Sequence, residues 1–300
     1  MSQSFKPNFT YKFDRFLLSL MPTPVLKEYY CRISRKLAQR GILNNHVAIK
    51  TDEGFFLNLN KLDSVSWRIY FADAHEHNIG RIIKERLGPG DVFVDVGANV
   101  GYFSMIGAQA VGPAGQVIAY EASPSNTILI KKNLEMNEFE NIDIRNEAVS
   151  AEAGIVKLYG SDPALLAQKS LLASRGGTVE AEVPSVPLTV KSIGVDPSRI
   201  RLIKIDVEGA EQMVVDGMHQ LLDTPGFAGE IILEITPADF VKGRNGLLDP
   251  FLSRGYRMFR IPNPQELRKY FEPLESMSWN EINAEDVNEM MDVLFTKRLH

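Results

Sequence analysis

The chain has 300 residues, 44% of them hydrophobic, with 33 Lys and Arg against 38 Asp and Glu and a net charge of −5. That length and apolar content exclude a disordered chain, and the acidic balance excludes a global field drawing it to nucleic acid or an anionic surface. The single cysteine, Cys31, excludes an internal disulfide and a multi-cysteine zinc site and fits a reducing compartment, with the cytoplasm as the expectation.

From Lys12 to Gly41 apolar residues recur at helical spacing, interrupted at Pro22 and Pro24, which predicts two short amphipathic helices. Their apolar faces are expected to pack on the neighbouring domain, with lipid or a partner subunit as lesser uses and a homodimer left open. The run from Phe16 to Met21 is too short to span a bilayer and is followed by Pro22, so neither a signal peptide nor a transmembrane helix is expected. Residues 46–50 and 55–60 alternate about the polar turn Thr51-Asp52-Glu53-Gly54, a hairpin signal. Residues 1–75 therefore read as a cap of helices and a β-hairpin.

Beyond Gly88-Pro89-Gly90, short apolar runs alternate with helical segments. The pattern predicts an α/β domain over residues 76–300: a doubly wound, mostly parallel seven-stranded sheet with crossover helices. Strands are expected at 92–96, 116–120, 142–146, 202–206, 230–235, 256–260 and 292–297. Residues 154–186 break the alternation, since two extended runs flank a loop with Gly176-Gly177; a hairpin insertion over the site is expected.

In the run from Val92 to Gly101, a buried strand enters a tight glycine turn and then a helix, at the edge where doubly wound sheets bind ligands. Gly97 permits the sharp turn and close approach to a ligand, Gly101 permits close helix packing, and the free N–H groups suit a carboxylate. Asp95 can orient this loop and face the amino group of an amino-acid-like ligand. Glu121, 24 positions after Gly97 at the end of the second strand, can accept both ribose hydroxyls of a nucleoside. A dinucleotide loop reads G-x-G-x-x-G, whereas here the spacing is G-x-x-x-G with Asn99 at the middle glycine's place. That favours a nucleoside lacking a pyrophosphate, S-adenosylmethionine over a nicotinamide cofactor, with a ligand-free turn as the remaining alternative.

Asn146, Glu147 and Ala148 close the third strand, where an adenine ring would reach by analogy with the fold. Asp206 and Glu208, at and just beyond the fourth strand's end, rank first as general base for an acceptor hydroxyl. Glu211 suits the helix dipole that follows, and Glu234 is either a site acid or half of a salt bridge. Clustered acids suit a divalent metal such as magnesium, but their spacing specifies no such site. His75 reads as a surface histidine beside Glu76, His219 as a C-terminal dipole partner, and Trp67 and Trp279 as packing residues.

Three segments taken together, Val94-Asp95-Val96-Gly97-Ala98-Asn99-Val100-Gly101-Tyr102-Phe103-Ser104, Tyr120-Glu121-Ala122-Ser123-Pro124-Ser125 and Lys204-Ile205-Asp206-Val207-Glu208-Gly209-Ala210-Glu211, resemble the FkbM methyltransferase family in order and separation. The resemblance runs from about Glu76 to the last strand. It implies a class I methyltransferase fold and S-adenosylmethionine as methyl donor. It further implies an acid at Glu76 near the cofactor, Ala122 among its contacts, and methylation of a hydroxyl on a sugar or polyketide-type product. The sequence departs from the pattern where similar chains carry an Asp two residues after a Thr before the fourth strand; here Thr189 is followed by Val190-Lys191. The expectation is an O-methyltransferase acting on a small-molecule or carbohydrate acceptor, with neither nucleic acid nor membrane as partner. The alternatives are a non-catalytic S-adenosylmethionine-binding module and a nucleotide-dependent oxidoreductase.

Overall fold

The computed structural model describes residues 9–160, 169–173, 177–235, 244–263, 266–272 and 278–298. Helices α1 (Phe9–Leu20) and α2 (Pro24–Gln39) meet at the expected break, where Thr23 accepts a bond from the Leu26 N–H and Pro24 opens the new helix. Strands β1 (His46–Lys50) and β2 (Phe56–Asn60) pair antiparallel, with His46 opposite Asn60. Two helices follow, α3 (Ser64–Ala72), capped by Asp63, and α4 (His77–Arg86).

The α/β alternation then runs β3 (Val92–Val96), α5 (Tyr102–Val111), β4 (Gln116–Tyr120), α6 (Pro124–Glu135) and β5 (Ile142–Arg145). After it come β6 (Ala148–Val149), β7 (Gly154–Gly160), β8 (Lys169–Ser170), β9 (Thr178–Val186) and the single turn α7 (Val190–Ile193). Thr189 caps α7 through a reciprocal bond pair with Ser192, a structural use for the threonine of the departed motif. The chain closes with β10 (Ile200–Ile205), α8 (Glu211–Gly217), α9 (His219–Leu222), β11 (Glu230–Ile235), α10 (Arg244–Leu252), β12 (Arg257–Ile261), β13 (Asn280–Ile282) and β14 (Met291–Thr296).

The main sheet has the order β13-β12-β14-β11-β10-β3-β4-β5. Strands β5 through β11 in that row are parallel, and β14 runs antiparallel to both β11 and β12. All seven expected strands are present within a residue or two, and the three-residue β13 makes the sheet eight-stranded. The order reverses between β3 and β10, and the crevice at that switch point is where an open α/β sheet binds its ligand. A second sheet, β6-β9-β7-β8, takes β7, β8 and β9 from the segment expected as an insertion and β6 from just before it. Residues 161–168 and 174–176 of that segment, including Gly176, lie outside the described residues.

Alternation along the strands divides two cores. Phe93, Leu202, Ile232 and Leu294 face α3, α4, α5 and the β1–β2 hairpin, whereas Val94, Ile203, Leu233 and Val293 face α8, α9 and α10. Tyr11, Leu18 and Cys31 belong to the first of these cores, so the N-terminal helices share the sheet's own hydrophobic interior. Among the described residues no helix is long and apolar enough to cross a membrane.

Two asparagine amides on and just after α6 finish the free edge of β2. Asn133 Oδ1 accepts from the Asn58 N–H at 2.8 Å while its Nδ2 donates to the Val100 carbonyl at 3.0 Å, and Asn137 accepts from and donates to Phe56, both at 2.8 Å. Asn133 thereby ties the hairpin to the glycine loop. Truncation would leave a buried N–H and a buried carbonyl without partners, so Asn133→Ala is expected to cost about 2–4 kcal/mol in urea unfolding. A loss below about 0.5 kcal/mol would contradict this tie.

Candidate active site

At the end of β3 the backbone turns at Gly97, with φ +88°, and the Gly97 and Ala98 N–H groups both donate to the Tyr120 carbonyl, at 2.9 and 3.1 Å. A Cβ on Gly97 would sit 1.9 Å from the Asp206 carbonyl oxygen, so only glycine lets the β3 and β10 exits approach this closely. Three non-glycine residues around the crevice also hold left-handed backbone, Glu76 at φ +44°, Asn99 at +53° and Glu208 at +54°. The conformation costs a bulky residue about 1–2 kcal/mol, and such strain concentrates where side chains must be aimed.

Glu121 braces the turn. Its Oε2 accepts from the Asn99 N–H and its Oε1 from the Ser123 N–H, each at 2.8 Å, with the Asn126 amide donating to Oε1 as well at 3.4 Å, so a further lone pair remains on Oε2. Burial pushes the Glu121 carboxyl up to about 7, against the pull of those two N–H donors.

The feature that sequence reasoning missed is Lys204. It stands opposite Asp95 in the parallel β3–β10 register and is buried, with Nζ 2.9 Å from Asp206 Oδ2 and over the Phe103 ring. Burial opposes its charge, but Asp206, Asp95 and Glu76 outweigh that and hold the ammonium above its ordinary range. On the same face Glu234 of β11 lies opposite Asp292 of β14. Burial, then Asp206 and Asp292, push Glu234 up to about 11, so it is a neutral acid at pH 7. Burial likewise raises Asp292 to about 6, against the Asn263 amide, and Glu76 well above the carboxylate range. His75 is buried against Phe103 rather than exposed, and burial, with Arg68 and Lys204 nearby, keeps its imidazole neutral. A lysine in the apolar run of β10 and an aspartate in that of β14 were the available signals.

Lys204, Asp206, Glu234, Glu76, His75 and Glu121, though not Asp292, line one cavity of about 270 Å³, just below the range of small-molecule sites, about 300–1,000 Å³. Of the residues singled out in the sequence, Glu76, Gly97, Asn99, Glu121, Ala122, Glu147, Ala148, Asp206 and Glu208 line it. Asp95 and Gly101 do not: Asp95 sits behind the loop, accepting from the Ser104 hydroxyl at 2.6 Å, and Gly101 packs against Ile130. Asn146 does not line it either, because its amide is spent on the Glu121 and Ala122 carbonyls at 2.9 and 3.0 Å. Glu211 accepts from the Val207 and Gly209 N–H groups and so shapes the turn carrying Glu208. The second sheet covers the cavity with Leu158, Lys169 and Ser170, and the Ser170 hydroxyl donates to the Glu208 carbonyl at 2.8 Å. His219 opens α9 instead of closing a helix, and Trp67 and Trp279 pack against Phe71 and Phe259 as expected.

The donor set fits S-adenosylmethionine. Glu76 Oε2 and Asn99 Oδ1 on the lining and Asp95 Oδ1 behind it are buried without a partner among the described residues, acceptors suited to an ammonium and to ribose hydroxyls. The lining also carries six carboxyl groups, three of them, Glu76, Glu121 and Glu234, raised by burial, and a bound sulfonium or ammonium would favour the ionised form of any carboxyl it meets. Among the described residues no group of three His, Cys, Asp or Glu side chains is placed to hold a metal ion.

The methyltransferase FkbM domain family matches residues 95–272. A 31-O-demethyl-FK506 methyltransferase from Streptomyces tacrolimicus is 30% identical over 185 residues, 52% of this chain and 70% of that protein. An arsenite methyltransferase from Halobacterium salinarum is 25% identical over 166 residues, and the chain spans 40% of its length. Among solved structures, a precorrin-6y C5,15-methyltransferase from Geobacter metallireducens superposes with a TM-score of 0.39 at 14% identity, over 73% of this chain and 89% of that one. With the family covering the glycine loop, Glu121 and the Lys204–Glu211 block, the nicotinamide alternative is set aside, and the chain belongs to the FkbM family of S-adenosylmethionine-dependent methyltransferases.

Proposed function

We propose that this chain methylates a hydroxyl oxygen on a small molecule or carbohydrate, with Asp206 as the general base. The observation that carries the reading is that Glu121, the glycine loop and the Lys204–Asp206 pair open on one cavity. When bound, S-adenosylmethionine supplies an electrophilic methyl group. Glu121 would hold the ribose, Glu76 and Asn99 the remaining donors, and Glu147 and Ala148 the adenine.

Asp206 Oδ2 is held by Lys204, which leaves Oδ1 to take the proton of an acceptor hydroxyl. Glu234, carrying its proton, can donate a hydrogen bond to an acceptor oxygen. Leu158 and Ser170 cover part of the cavity, and orienting the hydroxyl in line is the larger part of what such an enzyme must do. The relative acting on 31-O-demethyl-FK506 supports an oxygen acceptor by its name. The arsenite-acting relative raises a soft metalloid instead, which favours thiolate ligands. Cys31, however, is buried in α2 away from the cavity lining, with its thiol pushed up by burial.

The test is calorimetric titration with S-adenosylhomocysteine, with NAD as control, followed by labelled-methyl transfer to a panel of hydroxylated acceptors and to arsenite. Transfer to arsenite with none to hydroxyls would overturn the acceptor class. Wild-type affinity for S-adenosylhomocysteine is expected to fall up to about tenfold per pH unit below about 7, as Glu121 takes up its proton. In Glu121→Gln the affinity should be lower and flat with pH. The stability sign follows from the same raised value: ionising Glu121 in the folded protein costs free energy as pH rises from its ordinary range to about 7, and the Gln variant lacks that loss. Steady-state assays should show Asp206→Asn losing about 10²–10⁴-fold in turnover while still binding S-adenosylhomocysteine. Glu234→Gln, which replaces a neutral acid by a neutral amide, should stay within about tenfold of wild type in the same assays.

A further inference from the structure

The N-terminal helices present a surface that the core does not use. Phe16 and Leu20 on α1 and Val25, Leu26, Tyr29 and Ile33 on α2 are between 40% exposed, at Ile33, and 65%, at Tyr29. The packing on the neighbouring domain that the sequence predicted is made by Tyr11, Leu18 and Cys31 from the opposite faces, which leaves these residues outward. On α2 the outward row Val25, Tyr29, Ile33 continues at helical spacing into the exposed Lys36 and the C-cap Arg40. At the far end of α1, Lys12 is exposed as well. Most of the exposed apolar residues thus lie about the joint of the two helices, with Phe13 beside Lys12 and Ile42 beyond Arg40 extending the apolar surface to the cations at the outer ends.

Charge follows the same division. Between Phe9 and Arg40 there are seven basic and two acidic residues, in a chain whose net charge is −5. Beside the row, a groove between α2, α3 and the segment around Leu267 is lined by five Arg and Lys side chains and two Glu. Lys36 and Arg40 make no ion pair among the described residues.

We propose that α1 and α2 dock this protein on an anionic lipid surface, the helix joint entering the headgroup–acyl boundary and the flanking cations meeting lipid phosphates. An apolar face bordered by Lys and Arg, with Tyr at the polar–apolar level, matches such a boundary in both chemistry and charge. A second copy of the chain fits less well, because a two-fold contact would set this positive patch against itself. The docking takes up the lesser use that the sequence left open for these helices, against an expectation of no membrane contact drawn from net charge, the short apolar run and domain packing, and it is independent of the acceptor.

Co-sedimentation of the full chain with phosphatidylcholine vesicles, with and without phosphatidylglycerol, tests this directly. Binding is expected only when phosphatidylglycerol is present and should weaken with salt. The triple variant Phe16→Ser, Leu26→Ser, Tyr29→Ser and, separately, Lys36→Glu with Arg40→Glu should each lose about tenfold or more in binding. Thermal melts check that both sets remain folded. No binding to anionic vesicles would overturn the proposal, as would binding that ignores the apolar triple variant, which would mark a purely electrostatic contact. A sedimentation coefficient that drops with the triple variant, without vesicle binding, would replace lipid by a second copy.

Discussion

The ammonium of Lys204 is the constraint around which the rest is arranged. An amine at the centre of a parallel sheet is tolerated only if carboxylates reach it, because removing one partner of a buried ion pair leaves an uncompensated charge worth several kcal/mol. Asp95, Asp206 and Glu76 reach it from β3, from the exit of β10 and from the start of α4. One cation cannot neutralise that many acids, and two further carboxyls, Glu234 and Asp292, stand opposite each other on the neighbouring strands. Burial first, and the neighbouring acids after it, shift Glu234 and Asp292 upward, and protonation there relieves the excess. The cavity therefore contains both a carboxyl paired with Lys204 and a carboxyl pushed towards its neutral form, two roles that need different environments for the same functional group.

Backbone geometry puts the cofactor-facing groups against this cluster. The switch between β3 and β10 opens the crevice, and the missing side chain of Gly97 allows the glycine loop to sit on the Asp206 carbonyl. Glu121 is at once a structural brace and a candidate ribose ligand, since Oε2 can accept an incoming hydroxyl beside the Asn99 N–H while Oε1 takes the Ser123 N–H and, at 3.4 Å, the Asn126 amide. Asn133 joins the same loop to the hairpin, so the N-terminal part of the chain helps to hold the site although it contributes few groups to it.

The two faces of the N-terminal helices obey different solvents. The inward residues complete the core beneath the hairpin, while the outward row and its flanking cations are exposed among the described residues. Arg68 of α3 lines both the basic groove and the active-site cavity, so the surface offered to lipid and the mouth of the site are neighbours.

Periodicity and turn chemistry by themselves determined the strands of the sheet, the hairpin, the helix break at Pro22 and Pro24, and the glycine loop with Glu121, because each depends on residues within a few positions of one another. The family resemblance carried by three segments specified the cofactor class for the same reason. Only the tertiary structure decided that Lys204, Glu76, Glu234 and Asp292 form one electrostatic unit, since they are separated by up to 216 positions and meet through strand order and register. It also decided that Asn146 braces a loop, that His75 is buried, and which face of each N-terminal helix looks outward. Spacing predicts that an apolar face exists; what covers it depends on packing between segments distant in sequence, which no local pattern encodes.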